Sequence, residues 1–447
     1  YNASTTEKKP FSGDYDPNAK NLLNRHQASM LVTRIEDRFG NWATYSYDAA
    51  HPNNLTGIAA SDGRQLSIAY DTHQRVSSAT LQPSSGSPRT WTYQYATNGL
   101  LSGVTLPDGT AWSFAMAPIS LADMTPISGG NCDTPAGLPT QQWTGTMTHP
   151  SGLIGSFTIQ MGIRGRSYVP RQCITPDGTL INSYAAIPKF YYQPVILSKT
   201  FTGAGLPVGG ETWAYNYSPA NDSWSNDCAS GCASTVWTDV ADPQGHDVRS
   251  TFSNKFDETE GQLQRTDYYT GAAGSTLLRS ETSQYASATA GPWPTDYGVS
   301  LQTRLNLSIV EKQAPLNQRV VTQHDVGGTD TYTWQAESFD QYTQVTKTKR
   351  FSASFSQCLS TSTQCIEEQT SYRNDPNLWV LGLPLTVTNV ATGEVESSNT
   401  YNPSNDTLLT RARFGQTLMN YTFNSAGQLA SFTDGNTHTT TLGNYKR

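Results

Sequence analysis

Residues 91–114 read WTYQYATNGLLSGVTLPDGTAWSF, and this stretch decides the fold. At its start, Trp91, Tyr93 and Tyr95 fall on one face of an extended chain and the polar residues between them fall on the other. Such strict alternation predicts a half-buried β-strand. Gly99 then supplies a positive φ, at which the chain can reverse into a second strand. The stretch therefore predicts a β-hairpin.

The same hairpin pattern occurs elsewhere in the chain. After the key aromatic residue, a glycine follows at +4, a leucine at +6 and an apolar residue at +9. The matching residues are Gly99, Leu101 and Val104 after Tyr95, and Gly427, Leu429 and Phe432 after Phe423. Successive aromatics are 22 to 25 residues apart within two series, which are Tyr47, Tyr70 and Tyr95, and Tyr401, Phe423 and Tyr445. A regular period in this range predicts a stacked array of one repeated unit.

An acidic or amide residue follows several of these aromatics, namely Asp48, Asp71 and Asn424. Its side chain can bond to the backbone two residues on and so start a turn. One feature departs from plain alternation. Because Leu101 and Val104 are three residues apart, the two-residue period of the strand is broken there, which predicts a β-bulge.

Composition agrees with thin, aromatic-rich sheets. The chain has 447 residues, of which 11% are aromatic and only 15% charged. Counting Gly and leaving out Tyr, roughly 39% of residues are apolar, below the ~45–50% of ordinary globular domains. The formal net charge of −7 comes without a basic stripe, so we expect no nucleic-acid partner. We find neither a signal peptide nor an apolar run of membrane-spanning length, and the first residue, Tyr1, suggests a piece of a larger polypeptide.

Four segments, YSYDAAHPNNLTGI, IAYDTHQRVSSAT, YQYATNGLLSGVTLPDG and YTFNSAGQLASFTDG, carry a family resemblance. They resemble the Tyr-Asp (YD) repeats of bacterial Rhs proteins, of insecticidal toxin-complex shells and of the animal teneurins. Clear resemblance covers about residues 35–118, 236–285 and 385–447. It implies an all-β fold, an antiparallel hairpin array that winds into part of a hollow shell, or cocoon, around a cavity. In bacterial members such a shell encloses a C-terminal toxin or effector.

We divide the chain on this basis into four parts: an N-terminal lead-in (1–36), YD-repeat hairpins (37–118), an irregular β region or insertion with cysteine pairs (119–235), and Rhs/YD-repeat hairpins (236–447). Full-length family members also carry an Asp-Pro-x-Gly cleavage signature near their C-terminal end. The letters occur here at Asp242–Gly245, but ahead of a repeat-like strand, so we interpret them as a turn.

The residues expected to carry the repeat are structural. They are Gly40, Tyr47, Asp48, Gly63, Tyr70, Asp71, Tyr95, Gly99, Gly109, Phe114, Gly245, Phe252, Tyr401, Phe423, Gly427 and Tyr445.

Six cysteines are candidates for disulfides: Cys132, Cys173, Cys228, Cys232, Cys358 and Cys365. Two close pairs, CASGC and CLSTSTQC, would each staple a loop and leave Cys132 with Cys173, although 15 pairings are formally open. An even count favours an oxidising compartment, so we expect a secreted or cell-surface protein. The resemblance to Rhs proteins implies a bacterial one. Free thiols in a cytosolic protein are the alternative. Zinc is disfavoured, because Cys228 and Cys232 lack a second matching pair.

Motifs for catalysis, cofactors or metals are not found: the chain has no G-x-S-x-G, H-E-x-x-H or G-x-x-x-x-G-K-[ST] sequence. The acidic cluster Asp257, Glu258 and Glu260 beside Gly261 reads as a solvated turn. We therefore expect that the protein is not an enzyme and binds no cofactor. An enzymatic role for 119–235 is a third and less favoured hypothesis.

Two functions remain. The first is a structural shell segment that encapsulates and delivers a toxin or effector in bacterial competition or pathogenesis. Its partners would be the remainder of its own polypeptide and the cargo. The second is a wall-associated adhesive protein that binds cell-surface glycans through exposed rings, with Trp42, Trp91, Trp112 and Trp143 as candidates.

Overall fold

The computed structural model describes residues 4–9, 23–28, 30–127, 130–174, 184–185, 187–294, 296–299, 310–325, 327–352, 357–443 and 445. Within these ranges the chain forms 32 β-strands, one four-residue α-helix, α1 (Ala117–Ser120), and one three-residue 3-10 turn (Ser225–Asp227). Twenty-six of the described strands are assigned to the long antiparallel sheet. The predicted all-β class and hairpin array are confirmed.

The chain divides into two compact units. Unit 1 comprises Tyr1–Glu36, Asn41–Asp247 and Asn254–Phe256, and unit 2 comprises Asp37–Gly40, Val248–Ser253 and Asp257–Arg447. The bounds proposed from the sequence, at 36, 118 and 235, stay predictions.

Unit 1 is built from hairpins that follow one another along the chain. Its strands are β1 (Ser4–Lys9), β2 (Leu23–Ala28), β3 (Arg34–Glu36), β4 (Trp42–Tyr47), β5 (Leu55–Ala60), β6 (Gln65–Tyr70), β7 (Val76–Gln82), β8 (Arg89–Tyr95), β9 (Leu101–Thr105), β10 (Ala111–Ala115), β11 (Trp143–Thr148), β12 (Ile154–Gly165), β13 (Cys173–Ile174), β14 (Tyr184–Ala185), β15 (Phe190–Thr202), β16 (Glu211–Tyr217) and β17 (Thr235–Ala241). From β3 to β12, each strand pairs antiparallel with the next, and β12, β15, β16 and β17 continue the series. β1 with β2 and β13 with β14 form two small separate sheets.

Unit 2 repeats the same plan. Its strands are β18 (Asp247–Ser253), β19 (Leu263–Tyr269), β20 (Leu277–Tyr285), β21 (Asp296–Val299), β22 (Val310–Lys312), β23 (Leu316–Asp325), β24 (Gly328–Phe339), β25 (Val345–Ser352), β26 (Cys365–Asp375), β27 (Val380–Asn389), β28 (Val395–Tyr401), β29 (Leu408–Arg413), β30 (Gln416–Phe423), β31 (Leu429–Asp434) and β32 (Thr439–Thr441). β19, β20 and β23 to β32 pair antiparallel in chain order, and β21 with β22 forms a small separate sheet.

The predicted alternation is present in the strands. In β8, Trp91, Tyr93 and Tyr95 are half-buried, whereas Thr92 and Gln94 are exposed. β6 and β16 alternate in the same way. One face of each such strand therefore packs and the other faces solvent, as a period of two requires.

The predicted bulge is also present. Gln94 pairs with Gly103 but its neighbour Tyr95 pairs with Leu101, so Ser102 has no partner opposite it. The same shift occurs at Tyr70 and at Phe423. The key aromatic residue of each of these repeats therefore lies at a β-bulge.

The turn after the aromatic needs one residue with positive φ. Gly99 has φ 84°, and in the preceding repeat Gln74 adopts φ 61° at the equivalent position. Gly427, at φ 76°, has a second constraint, because a Cβ there would lie 2.6 Å from Cδ2 of the Phe39 ring within unit 2. Gly109 has φ 84° with no atom within 4 Å of such a Cβ.

These two glycines separate backbone strain from packing. Gly109→Ala should cost about 1–2 kcal/mol of unfolding free energy, the penalty for an alanine in the left-handed region. Gly427→Ala should cost a further ~1–3 kcal/mol, because the new methyl group overlaps the Phe39 ring. Urea denaturation of both variants measures the difference. Equal losses would show that the Phe39 ring moves aside freely.

Candidate functional site

Eight tyrosines form a series that we call the tyrosine ladder. Each donates its hydroxyl hydrogen to a main-chain carbonyl 15 to 27 residues earlier in the chain. The pairs are Tyr47 to Val32, Tyr70 to Leu55, Tyr95 to Val76, Tyr217 to Ile196, Tyr285 to Leu263, Tyr372 to Val345, Tyr401 to Pro384 and Tyr445 to Leu429. The ladder therefore joins neighbouring strands side chain to backbone, in addition to their backbone pairing.

The acceptor in the ladder follows a rule. Leu55 is the residue that pairs with Tyr47 at the bulge, and its carbonyl accepts from Tyr70 at 2.9 Å. Val76 in turn pairs with Tyr70 and accepts from Tyr95 at 2.8 Å. Tyr70 and Tyr95 thus each bond to the bulge partner of the aromatic one repeat earlier.

Unit 2 obeys the same rule, with one gap. Pro384 pairs with Tyr372 at a register shift and accepts from Tyr401 at 3.0 Å. The next aromatic is Phe423, which has no hydroxyl to donate. By the rule, its acceptor would be Leu408, the bulge partner of Tyr401. The ladder therefore lacks a hydrogen bond at this repeat.

Burial favours the protonated hydroxyl in five of the ladder tyrosines. It raises the pKa of Tyr95, Tyr217, Tyr285, Tyr372 and Tyr401 above the ordinary value for tyrosine. These side chains consequently remain hydrogen-bond donors through the neutral and mildly alkaline range.

Asp71 connects its turn to the next repeat. One carboxylate oxygen, Oδ1, accepts the backbone N–H groups of His73 at 2.8 Å and Arg75 at 3.0 Å, and the other, Oδ2, binds the Arg75 guanidinium at 2.6 Å. That guanidinium lies 4.4 Å from the centroid of the Tyr95 ring. The Arg75 guanidinium and the backbone N–H groups hold the pKa of Asp71 at about 2.

The residues expected to carry the repeat are spread over many hairpins and do not converge on one site. The turns with positive φ contain the six glycines, Gly40, Gly63, Gly99, Gly109, Gly245 and Gly427. The ladder contains the five tyrosines, Tyr47, Tyr70, Tyr95, Tyr401 and Tyr445. In turns, backbone N–H groups are accepted by Asp48 and Asp71, and the strands contain Phe114, Phe252 and Phe423. Sequence reasoning missed Tyr217, Tyr285 and Tyr372, because they lie outside the two series of aromatics that are 22 to 25 residues apart. The alternating run ETWAYNY before Tyr217's turn was the available signal.

The cysteines form three disulfides: Cys132 with Cys173, Cys228 with Cys232, and Cys358 with Cys365. This is the pairing that the short spacings favoured, and the structure leaves no free thiol among the six. The free-thiol alternative is therefore wrong for this structure. Cys132, Asp133 and Cys173 lie close enough to suggest a metal site, but the two sulfur atoms are bonded to each other and are not thiolate ligands.

The first two disulfides lie in what we call the cysteine block (130–174 and 218–235) of unit 1. Its centre is Asp133, which accepts a hydrogen bond from the indole of Trp224 at 2.8 Å and binds Arg171 at 2.8 Å. The Arg171 guanidinium holds the pKa of Asp133 below its usual range. Trp224 and Val169 are 2% and 0% exposed. The block thus has a small packed core of its own.

The candidate glycan platforms are occupied by protein contacts. Trp143 is only 7% exposed, so its proposal as an exposed ring is wrong. Trp42 lies 5.1 Å from the Arg34 guanidinium, and Trp112 packs edge-on to His149 with the ring centroids 4.6 Å apart. Trp91 is half-buried. A ring already covered in this way has less free face for a sugar.

Two other predicted turns are present. Gly245 N–H bonds to the Asp242 carbonyl at 3.0 Å, so Asp242–Gly245 closes a turn between β17 and β18. Asp257 Oδ1 accepts the Thr259 N–H at 2.8 Å in an exposed turn. Across the described ranges, no helix is long and apolar enough to cross a membrane.

Comparison with known proteins gives matches to solved structures alone: no protein-family model and no curated protein matches the chain. The chain is similar to TcdB2-TccC3 without its hypervariable C-terminal region, with 12% identity, a TM-score of 0.30, and 98% of this chain and 20% of that chain covered. It is also similar to the Photorhabdus luminescens Tc holotoxin pore, with 12% identity, a TM-score of 0.30, and 97% and 20% covered. The chain thus spans about a fifth of the length of these structures. At this identity and TM-score, no residue's role carries over to the chain.

The ladder can be tested by removing and adding single hydroxyls. Tyr95→Phe should lower the unfolding free energy by about 0.5–1.5 kcal/mol, because the Val76 carbonyl loses its donor. Phe423→Tyr should raise it by up to ~1 kcal/mol, because the new hydroxyl would reach Leu408. Denaturant unfolding measures both changes.

Tyr93→Phe is the matched control, since Tyr93 lies on the same strand and face as Tyr95 but is not a ladder donor. A loss for Tyr93→Phe as large as that for Tyr95→Phe would contradict the ladder. A destabilising Phe423→Tyr would contradict the rule for its acceptor.

Asp71 should make stability depend on acidity. Its folded-state pKa of about 2 lies below the ordinary 3.8, so its ionised form stabilises the fold above pH ~4, and this contribution disappears as pH falls towards 2. Asp71→Asn keeps a side-chain oxygen for the turn but loses the charge. We expect its melting temperature to be lower than that of the unaltered protein at pH 6 and the gap to close near pH 2. A gap that is constant with pH would rule out this charge effect.

Proposed function

We propose that this chain is a structural wall segment of a bacterial Rhs-type YD-repeat protein, secreted or at the cell surface. In this proposal the wall encloses a C-terminal toxin or effector of the same polypeptide and serves its delivery in competition or pathogenesis. Residues 37–118 and 236–447 form the repeat wall, and the irregular β region or insertion (119–235) lies between them in the chain. The chain itself needs neither catalysis nor a cofactor for this role.

The observation that carries the proposal is the tyrosine ladder. A single two-stranded hairpin is at best marginally stable in water. Here a hairpin gains backbone pairing from its neighbour and, where it carries a ladder tyrosine, a further hydroxyl bond to that neighbour, as Tyr95 makes to Val76. Stability that depends on nearest neighbours favours a long uninterrupted sheet. A long sheet suits a protein whose function is to cover something.

The disulfides support the proposed location. All six cysteines are paired, and such bonds persist in oxidising surroundings and are rare in reducing cytosol. A secreted or surface-exposed wall meets this condition.

The test uses the intact parent polypeptide. Limited proteolysis of the native protein should spare the segment that follows the repeats at a protease concentration that degrades the same segment produced alone. Replacing Tyr70 and Tyr95 together with Ala should open the wall and expose that segment. The matched control is the double variant Ser67→Ala with Thr92→Ala, on the exposed faces of the same strands.

Equal cleavage of the segment inside and outside the native protein would overturn the proposal. Protection that survives the tyrosine replacements while the repeats unfold would show that something other than this wall covers the segment.

A further inference from the structure

Arg164 in unit 1 has an unusual environment. It lies on β12 opposite Tyr191 of β15 and is partly buried. Its guanidinium carbon stands 4.1 Å from the centroid of the Tyr217 ring. Among the residues that the structure describes, no carboxylate forms an ion pair with it and no acceptor forms a hydrogen bond with its guanidinium.

Other partly buried arginines are treated differently. Arg75 binds Asp71, and Arg373 binds Asp406. A guanidinium that is removed from water loses hydration free energy. Without an anion beside it, only a cation–π contact with an aromatic ring compensates for part of this loss. Within the described part of the chain, Arg164 therefore has no anionic partner to replace that hydration.

The directions of the pKa shifts agree with this geometry. Hydrogen bonds to carboxylates raise the pKa of Arg171 and Arg265. Burial instead lowers the pKa of Arg164, and only coulombic interactions with Tyr217 and Tyr191 act in the other direction.

A cavity of about 530 Å³ opens beside the Arg164 side chain. The residues lining it are mostly apolar or aromatic, and include Val195, Ile196 and Trp237, together with the polar residue Gln193. This volume falls within the range of small-molecule pockets, which combine an apolar lining with a few polar groups that orient the ligand.

The tyrosine ladder fixes the wall of this cavity. The Tyr217 hydroxyl donates to the Ile196 carbonyl at 2.8 Å, so the ring under the guanidinium is held from its far end. The guanidinium is consequently positioned before any ligand arrives, which reduces the ordering cost of binding.

We propose that this cavity binds a carboxylate carried on an apolar or aromatic body, with Arg164 as its anion-binding residue. The planar guanidinium can donate two parallel N–H bonds to a carboxylate. Trp237, Ile196 and Val195 contact the body of the ligand, and Gln193 supplies one further hydrogen bond. This binding function is separate from the role of the sheet as a wall.

Two sources present this chemistry: a free organic acid and the C-terminal carboxylate of a peptide. The probes distinguish them. One is 3-phenylpropionate, compared with the isosteric but neutral 3-phenylpropionamide. The other is an N-acetylated tetrapeptide ending in phenylalanine, as the free acid and as the amide.

Isothermal titration calorimetry on the intact protein should show that at least one acid binds at least tenfold more tightly than its amide. Arg164→Gln should remove this preference, while Arg164→Lys, which keeps the charge but not the fork of donors, should retain part of it. Arg89→Gln, at an exposed arginine in the same unit, is the control and should leave binding unchanged. Trp237→Leu should weaken an acid and its amide by the same factor.

Equal affinity of acid and amide for the unaltered protein would overturn the proposal, as would an undiminished acid preference in Arg164→Gln. If Arg164→Gln does not fold, Arg164→Lys and the acid–amide comparison on the unaltered protein decide the matter. Tighter binding of the peptide acid than of 3-phenylpropionate would identify a chain terminus as the natural source, and the reverse order would identify a small acid.

Discussion

The hydrogen bond from a tyrosine hydroxyl to a bulge carbonyl is the interaction on which the repeats depend. A bulge interrupts the regular backbone pairing and bends the strand. A nearby polar group must then find another partner. Tyr70 and Tyr95 provide that partner at Leu55 and Val76. The bulge, the aromatic residue and the turn that follows therefore form one structural motif.

The strand alternation, the turn and the bulge could all be predicted, because each depends on residues within about ten positions of the others. The spacing between Leu101 and Val104 was enough to place the bulge. The acceptors of the ladder could not be predicted, since a hydroxyl must cross to a strand up to 27 residues earlier. A turn without glycine, such as the one with positive φ at Thr343, also hid its repeat from a search for glycine.

The cysteine block and the Arg164 cavity were beyond sequence reasoning for a different reason. Arg164, Gln193, Tyr217 and Trp237 come from four strands, β12, β15, β16 and β17, which only the fold brings together. None of them belongs to a motif. The partners of Asp133 are likewise 38 and 91 residues away, at Arg171 and Trp224. Only the disulfide spacing hinted that this part of the chain has a core of its own.

The acceptor in every ladder bond is a main-chain carbonyl, which all twenty amino acids possess. The acceptor residues accordingly differ, and even Pro384, which has no N–H to give, serves Tyr401 as well as Leu55 serves Tyr70. Selection on such an array would preserve the tyrosine of a repeat, whereas the identity of the residue that supplies the acceptor carbonyl would be free to change. Repeats that diverge from one ancestor can thus lose most of their sequence identity and still keep the hydrogen bond that joins neighbouring repeats.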